Sequence, residues 1–164
     1  MINGKDTVLL VQPIDNTIGD PGLVVANLTE NSYSIENELI DEMTKMGRIL
    51  AYGQNSESFE LTAYGEKGDP GQEAILNAIK NKTELKVWEV DTLANGTGTY
   101  DAVFAYCLVE SVEKSNPNDS FQEVTATLQV RGESQEGTIT TLPTALTDAP
   151  YPFESPGESG KPAV

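Results

Sequence analysis

The side chains of this chain that could do chemistry are almost all carboxylates. The sequence carries 26 acidic residues, 10 basic residues, one cysteine and no histidine. Without histidine, the usual arrangement of nucleophile, general base and orienting group cannot be assembled. Two carboxylates could hydrolyse a glycoside, but an acidic chain offers so many pairs that their presence indicates little. We predict no catalytic residues, and Cys107, in the apolar run VFAYCLV, is expected to be buried filler rather than a reactive thiol.

Metal and phosphate sites are equally hard to build from these residues. Zinc would lack its cysteine and histidine ligands, and the acidic loops lack the spacing of a calcium loop. Asp15, Asn16 and Asp20 could hold an ion, but such residues between strands are typical of a turn. Gly96 and Gly98 are followed by neither a helical pattern nor a third glycine, unlike a dinucleotide fingerprint. We predict no metal and no cofactor.

The formal net charge of -16 at pH 7 is the most informative bulk property. Proteins that bind nucleic acid tightly neutralise phosphates with stripes of Lys and Arg, and this sequence has no such stripe. The acidic surface is then either an ordinary solvated surface or a surface that must not adhere to a polyanion. Since no apolar run is long enough to cross a bilayer, we expect no membrane contact.

The stretch GEKGDPGQE, residues 65–73, has the glycine spacing of three collagen triplets. A triple helix needs this register over many triplets, and here it ends at once. The same residues predict a helix start, with Asp69 as N-cap, Pro70 at the first helical position and Gln72 completing a capping box. The apolar residues that follow predict a short amphipathic helix over about 70–80, laid on a sheet.

Strand patterns fill most of the remaining chain. Period-two alternation, apolar runs and turn residues predict strands at 8–11, 23–28, 57–64, 83–91, 99–114, 120–133 and 137–143. The two longest are joined by a turn rich in Asn and Pro and should pair as an antiparallel hairpin. In the second of these, Val124, Ala126, Leu128 and Val130 are expected to face a core.

Two segments lack a clear strand pattern. Residues 30–55 are interpreted as a long loop, and residues 144–164, rich in Pro, Gly and Ser, as an extended arm without a core of its own. A short helix can also be scored in the loop, because four apolar residues fall on one helical face: Ile35, Leu39, Met43 and Met46.

The predicted fold class is mainly β. We expect two packed sheets in a sandwich or barrel, one flanking α-helix at about 70–80, the long early loop and the extended C-terminal arm. One β-sandwich domain would cover residues 1–143, and the arm residues 144–164.

The order of these pieces resembles the major tail protein, or tail tube protein, of long non-contractile-tailed phages (siphoviruses) of Gram-positive bacteria. The likeness lies in five segments, which extend it over about residues 3–143: NGKDTVLLVQPID, GRILAYG, AYGEKGDPGQEAILNAIKNK, LKVWEVD and TLQVRGESQEGTITTLP. The resemblance implies a structural virion protein that self-assembles into stacked hexameric rings, forming a tube through which the genome leaves the capsid. It also implies a β-sandwich whose sheets join those of neighbouring subunits around a lumen.

The same resemblance implies partners. They are a tape measure protein in the lumen, tail terminator and distal tail proteins at the tube ends, and DNA that passes without specific binding. The long loop and the C-terminal arm are implied to contact neighbouring subunits and rings, in particular through the apolar residues Ile35, Leu39, Met43, Ile49, Leu50, Tyr151 and Phe153.

A lumen that passes DNA should be anionic, because cationic side chains would bind phosphates and slow transit. The candidate lumen-facing residues are the polar residues of two predicted strands: Glu60, Thr62, Glu123, Thr125, Thr127 and Gln129. An ordinary solvent-facing strand surface would contain the same residue types. Which sheet lines the lumen stays open at this point.

A second function class fits the same composition. A soluble acidic β-sandwich that binds a receptor or a carbohydrate would also have many strands and no catalytic motif. Such a module should present clustered, exposed aromatic residues on a rigid face. Trp88, Phe104 and Tyr106 lie in the middle of predicted strands, which favours a core or interface position over a sugar platform.

Overall fold

The chain folds mainly into β-strands in the computed structural model, which describes residues 1–147 and 153–157. The strands are β1 Thr7–Pro13, β2 Leu23–Val24, β3 Leu28–Asn37, β4 Ile40–Thr44, β5 Gly47–Ala51, β6 Asn55–Tyr64, β7 Leu85–Asp91, β8 Tyr100–Ser115, β9 Glu123–Val130 and β10 Gln135–Ile139. The helices are α1 Pro70–Asn81 and the single turn α2 Thr144–Thr147, and a 3-10 turn at Gly4–Asp6 precedes β1.

Eight of these strands form one antiparallel sheet with β8 as its shared element. The order is β2-β1-β7-β8-β9-β6-β3, and β10 pairs with β8 as well. Residues 102–107 of β8 pair with β7, whereas residues 107–115 pair with β9. The register shifts between Val109 and Ser111, and such bulges bend and twist a strand. The sheet therefore divides at β8 into two halves, and strands β4 and β5 form a separate two-stranded sheet.

The core lies between the two halves and the helix. Apolar side chains from both halves join those of α1 in one buried cluster: Leu9, Val11, Val25, Phe59, Leu61, Ala63, Ala74, Ile75, Ala78, Leu85, Val87, Ala105, Cys107, Ala126 and Leu128. The mainly β class with one flanking helix is thus confirmed, and the two packed layers are halves of one continuous sheet.

Helix α1 begins where the sequence predicts it. Asp69 is the N-cap, and its carboxylate accepts a hydrogen bond from the Gln72 amide at 2.9 Å. Pro70 occupies the first turn, and Lys82 ends the helix in the left-handed conformation with φ 56°. Because small residues such as Ala74 and Ala78 face the core, the helix backbone lies close to the sheet.

The predicted capping box is not formed. The Gln72 side chain does not reach back to the Asp69 amide, which instead donates to the Glu66 carbonyl at 3.3 Å. Gln72 Nε2 donates to the carbonyls of Ala26 and Tyr64, at 3.0 and 2.9 Å. Gln72 therefore ties the helix start to two neighbouring segments of the chain.

The prediction of a loop over residues 30–55 is wrong, and so is the short helix scored within it. The segment contains most of β3, the hairpin formed by β4 and β5, and the first residue of β6. Ile35 lies opposite Glu57 in the β3–β6 ladder, and Met43 lies opposite Arg48 in the hairpin. The helical spacing was accidental. Ile35 and Met43 belong to different strands, and Leu39 and Met46 lie between strands. All four side chains are at least half exposed, so they share no buried face.

The other strand predictions hold, with two further corrections. The predicted strand at 23–28 is interrupted, because Asn27 adopts a left-handed conformation with φ 54° that separates β2 from β3. The alternation in β6 and the hairpin of β8 and β9 are confirmed. The late strand, predicted at 137–143, is β10; it begins earlier, at Gln135, and ends at Ile139.

Candidate functional site

The six candidate lumen residues lie on one face of the second half of the sheet. We name this surface the acidic face: the side of β3, β6, β9 and residues 108–115 of β8 that points away from the core. Side chains alternate along each strand, so the register places Glu60 opposite Thr127, Thr62 opposite Thr125, and Ser58 opposite Gln129. Glu123 follows on the same side of β9, opposite Tyr64. Glu60, Glu123, Thr125 and Gln129 are exposed, and Thr62 and Thr127 are half-buried.

One row of this face crosses all four strands. Ser32 pairs with Glu60, Glu60 with Thr127, and Thr127 with Ser111. The row begins on β3 and ends on β8, which are the two outer strands of this half of the sheet. Ser32 and Ser111 therefore lie at opposite edges of this half of the sheet, at the same height along the strands.

The acidic face carries charge of one sign. Its carboxylates are Glu30, Glu36, Glu60, Glu110, Glu113 and Glu123, with Glu110 placed there by a hydrogen bond from Gln129 at 2.8 Å. Among the described residues of these four strand segments, none that points outward is Lys or Arg; Lys114 pairs with Val124, whose side chain is buried. The surface would repel a polyanion rather than bind it.

Both edges of this half of the sheet lack a strand partner among the described residues. Strand β3 pairs with β6 on one side only, and residues 108–115 of β8 pair with β9 on one side only. An unpaired edge presents free backbone amide and carbonyl groups, which favour pairing with another chain.

The hairpin of β4 and β5 projects from the sheet without a core of its own. Every residue of both strands is exposed. Its large apolar side chains have between 51% and 97% of their surface in contact with solvent: Ile40, Met43, Met46, Ile49 and Leu50. Arg48 pairs with Asp41 through two hydrogen bonds of 2.8 Å. Since a two-stranded hairpin alone is marginally stable, this element is suited to packing on a partner.

A polar joint connects the hairpin to the sheet. Asn37 Nδ2 donates to the Gly53 carbonyl at 3.0 Å, and the Gly53 amide donates to Asn37 Oδ1 at 2.9 Å. A Cβ atom at Gly53 would lie 1.9 Å from the Glu38 carbonyl oxygen, so only glycine fits there. The joint holds the base of the hairpin in one position.

The structure places the candidate contact residues on the surface. Ile35, Leu39, Met43, Ile49 and Leu50 are all at least half exposed, and four of these five belong to or adjoin the hairpin. Phe153, in the described part of the C-terminal arm, is 91% exposed. Tyr151 lies outside the described residues.

Glu57 is a buried carboxylate that the sequence analysis missed. It is 5% exposed, and it accepts hydrogen bonds from the Ser134 amide at 2.9 Å, the Ser134 hydroxyl at 2.5 Å and the Tyr33 hydroxyl. Burial alone would raise its pKa, but the hydrogen bonds from Ser134 and Tyr33 outweigh burial and lower it. Glu57 ties β3 and β6 to the corner between β9 and β10, where β8 passes from one half of the sheet to the other.

The sequence did contain an indication of this site. Side chains alternate between the two faces of a strand, and Glu57 lies two residues before Phe59 on the same face as the core positions of β6. Its side chain was therefore expected to point toward the core. The tyrosine and serine that satisfy it come from distant segments, and their contact could not be predicted.

An aromatic row lies on the outer side of the first half of the sheet. The rings of Trp88 and Phe104 are 5.1 Å apart, those of Phe104 and Tyr106 are 5.2 Å apart, and Arg131 lies 5.2 Å from the Tyr106 ring centre. Arg131 also forms an ion pair with Glu84 at 3.1 Å. The three rings are half-buried and pack on one another, unlike the exposed cluster expected of a sugar-binding platform.

Next to Trp88 a groove of about 1090 Å³ opens between the sheet, the 20–28 segment and α2. Its walls are largely apolar, with Leu10, Val24, Leu142 and Leu146 among them. We name it the apolar groove.

Ligand sites of other kinds are not indicated in the described part of the chain. Residues 1–147 and 153–157 contain no group of three or more His, Cys, Asp or Glu side chains placed to hold a metal ion. Within the same residues, no helix has the length and apolar character needed to span a membrane.

Comparison of the sequence with known proteins identifies the family of the chain. The family model described as phage tail tube protein matches residues 1–136. The tail tube protein of Bacillus phage SPP1 is 42% identical over 161 residues, which cover 96% of this chain and 61% of that protein. The chain thus spans about three-fifths of the length of this relative.

Solved structures of a tail tube and of a tail also match the fold of this chain. The SPP1 tail tube, determined by solid-state NMR and cryo-EM, matches with a TM-score of 0.83 and 34% identity, covering 99% of this chain and 96% of that one. The tail of an empty gene transfer agent particle matches with a TM-score of 0.65 and 16% identity, covering 82% and 98%, which shows a shared fold. On the family match and the SPP1 relative, the chain belongs to the phage tail tube protein family.

Proposed function

We propose that six copies of this chain close into a ring through the open edges of β3 and β8. Along β8, β9, β6 and β3 the strand direction alternates, so the two outer strands run in opposite directions. When β3 of one copy lies beside β8 of the next copy in the same orientation, the new pair is again antiparallel. Ring closure by this route removes both open edges and extends the sheet into a barrel.

In such a ring the acidic face lines the lumen. The observation that carries the proposal is the combination of two open edges with a face that is acidic and free of Lys and Arg across the described residues of all four strand segments. DNA moving through this lumen would be repelled by the wall, and no cationic side chain would hold its phosphates. Glu60, Thr62, Glu123, Thr125, Thr127 and Gln129 would contribute to this wall.

The rings stack into a tube through the hairpin and the C-terminal arm. Contacts between subunits would bury the exposed apolar residues of these two segments, Leu39, Met43, Ile49, Leu50 and Phe153, together with Tyr151. They would also bury Ile35 on β3. The assembled tube would enclose a tape measure protein and meet tail terminator and distal tail proteins at its ends. The role is structural rather than enzymatic, and no cofactor takes part in it.

Cross-linking of paired cysteines tests ring closure. Ser32→Cys on β3 and Ser111→Cys on β8 place a thiol at each end of the row that crosses the sheet. A bifunctional thiol reagent of moderate length should join neighbouring copies and produce a ladder of covalent species that ends at six. Cys107 is buried and should not interfere.

The matched control replaces the edge position by one on the helix. Ser32→Cys combined with Asn77→Cys, on the exposed side of α1, should give no ladder. Negative-stain microscopy of the same samples should show rings and tubes. A ladder that stops at two, or equal cross-linking in the control pair, would refute ring closure through these edges.

A further inference from the structure

Glu57 lies at the corner where the two halves of the sheet meet, and it is buried although it belongs to neither open edge. We infer that its hydrogen bonds fix the curvature of the sheet half that carries the acidic face, and that this curvature makes a ring close at six copies. The inference rests on the proposed closure through β3 and β8. Glu57 is then a positioning residue for assembly, which acts without touching the neighbouring copy.

The corner consists of two neighbouring strands that bend together. Strands β9 and β10 both pair with the edge of β8 that faces away from β7, with Val130 opposite Cys107 and Gln135 opposite Phe104. Between these two pairs, residues 131–134 form no strand. The stretch from Val130 to Gln135 is longer than the stretch of β8 beside it, so the chain bulges where β8 passes between the two halves.

Glu57 satisfies the backbone at this bulge. It is the first residue of β6 beyond the ladder with β9, which ends at the pair of Ser58 and Gln129. Its carboxylate accepts hydrogen bonds from the Ser134 amide at 2.9 Å and from the Ser134 hydroxyl at 2.5 Å. Because a buried amide without a partner costs stability, the carboxylate takes the place of a strand carbonyl at the corner.

The same carboxylate holds the edge strand β3. Tyr33 lies opposite Phe59 and Ile35 opposite Glu57, so Tyr33 and Glu57 are diagonal neighbours on the core side of adjacent strands. The Tyr33 hydroxyl donates a hydrogen bond to Glu57, and the Tyr33 ring packs on Phe59 with the ring centres 5.2 Å apart. Glu57 therefore connects one open edge to the corner from which the other open edge, residues 108–115 of β8, continues.

The angle between these two edges decides how many copies form a ring. A head-to-tail contact closes only when the rotation from one copy to the next divides a full turn, and otherwise it gives an open helical arrangement. Apolar packing accepts small changes of shape, whereas a fully satisfied buried hydrogen-bond network specifies one arrangement. Donors from β3 and from the corner converge on one carboxylate, so they hold the edge strand and the corner at one spacing.

Ring size in a Glu57→Gln variant tests the inference. The amide nitrogen of glutamine is a donor and would face the donors of Ser134 or Tyr33. In the background with Ser32→Cys and Ser111→Cys the edges are intact, so neighbouring copies should still cross-link, but the ladder should no longer end at six. Electron microscopy should show open arcs and rings of mixed copy number, with a severalfold loss of six-copy rings.

A milder variant keeps the test decisive if Glu57→Gln does not fold. Tyr33→Phe removes one hydroxyl and retains the packing on Phe59, so it should fold and shift the ring sizes in the same direction to a smaller extent. An unchanged share of six-copy rings in either folded variant would overturn the inference.

The matched control loses stability away from the corner. A Cβ atom at Gly71 would lie 2.4 Å from the Val24 carbonyl oxygen, so Gly71→Ala strains the contact of α1 with β2. Its ladder should still end at six, even where its urea midpoint falls as far as that of Glu57→Gln. The same change of ring size in Gly71→Ala would show that Glu57 acts through stability alone and would contradict the positioning role.

These outcomes separate the inference from the proposed function. If the ladder ends at six in the wild-type background and in the Glu57 and Tyr33 variants, the inference fails and the ring proposal stands. If the wild-type background gives no ladder to six, the proposed function fails and the inference fails with it.

Discussion

Glu57 is a buried carboxylate whose hydrogen bonds hold separate segments of the fold together. Its carboxylate holds the hydroxyl of Tyr33 and two donors of Ser134, and hydrogen bonds to a charged group are worth about 1.5–3 kcal/mol. Glu57→Gln keeps the shape of the side chain but places an amide donor among donors. We expect it to lower the free energy of unfolding at pH 7 by about 2 kcal/mol, measured by urea denaturation. Glu60→Gln on the exposed face should change it little.

The difference between wild type and Glu57→Gln should depend on pH. Because the folded pKa of Glu57 lies below its ordinary value of 4.5, its contribution is complete above pH 4.5 and is lost as pH falls through the folded pKa. The pKa of Glu89 is raised by burial, so its ionisation costs stability at neutral pH and protonation relieves that cost. Since this term is common to both proteins, the gap between their unfolding free energies should narrow below pH 4.5. A constant gap would contradict the assignment.

Cys107 should be unreactive while the chain is folded. Burial, aided by the charge of Glu57, raises the pKa of its thiol from 9.0 to about 12, which lowers the thiolate fraction near pH 8 about a thousandfold. A thiol reagent at pH 8 should label the native protein only as fast as it unfolds, and label it at once in urea. The exposed variant Ser111→Cys should react immediately in the native state. Rapid native labelling of Cys107 itself would show that the core opens locally at β8.

At the scale of elements, Gly71 fixes how closely helix α1 approaches β2. A Cβ atom there would lie 2.4 Å from the Val24 carbonyl oxygen and 2.9 Å from the Val25 Cα, both backbone atoms that cannot rotate away. Gly71→Ala should therefore destabilise the fold by about 1–3 kcal/mol, although alanine is the better helix former. Asn77→Ala, on the exposed side of the same helix, should be neutral or slightly stabilising. Denaturant midpoints of the two variants decide the point.

The elements that could be predicted are those determined by residues close together in the sequence. Asp69 and Pro70 predict the start of α1, and the structure places it there. The alternation from Phe59 to Ala63 could be recognised from the residues of β6 alone. Residues 30–55 were misjudged because no side chain of β3, β4 or β5 is fully buried, so no clear apolar period exists to reveal these strands. The Gln72 contacts to Ala26 and Tyr64 also lay beyond prediction, since they depend on how distant segments meet.

For the whole molecule, the candidate surfaces were only partly predictable. Alternation correctly grouped Glu60 and Thr62, and separately the residues of β9, but the pairing of β6 with β9 is needed to join them into one face. The open edges of β3 and β8 follow from strand order, which a single sequence does not reveal. The polar residues of separate strands thus become one continuous acidic face only through the pairing of those strands.

The charge of the acidic face leads to a prediction about DNA transit through the proposed tube. Glu60→Lys with Glu123→Lys replaces two carboxylates of the acidic face in every copy, and in a ring these cations would repeat around the lumen. The tubes should still assemble, because neither residue lies at an open edge or in the hairpin. Release of DNA from particles carrying the variant should be slower, because lysines bind DNA phosphates, displace their counterions and retard the passage of the DNA.

The dependence on salt distinguishes this mechanism from a damaged tube. If the lysines act by binding phosphates, release should recover as ionic strength rises, because salt weakens such contacts. Glu73→Lys makes the same change of charge as Glu60→Lys but on α1, away from the acidic face, and should release DNA at the wild-type rate. Slow release that is insensitive to salt would indicate distorted tubes, and release at the wild-type rate in the double variant would mean that the acidic face does not line the path of the DNA.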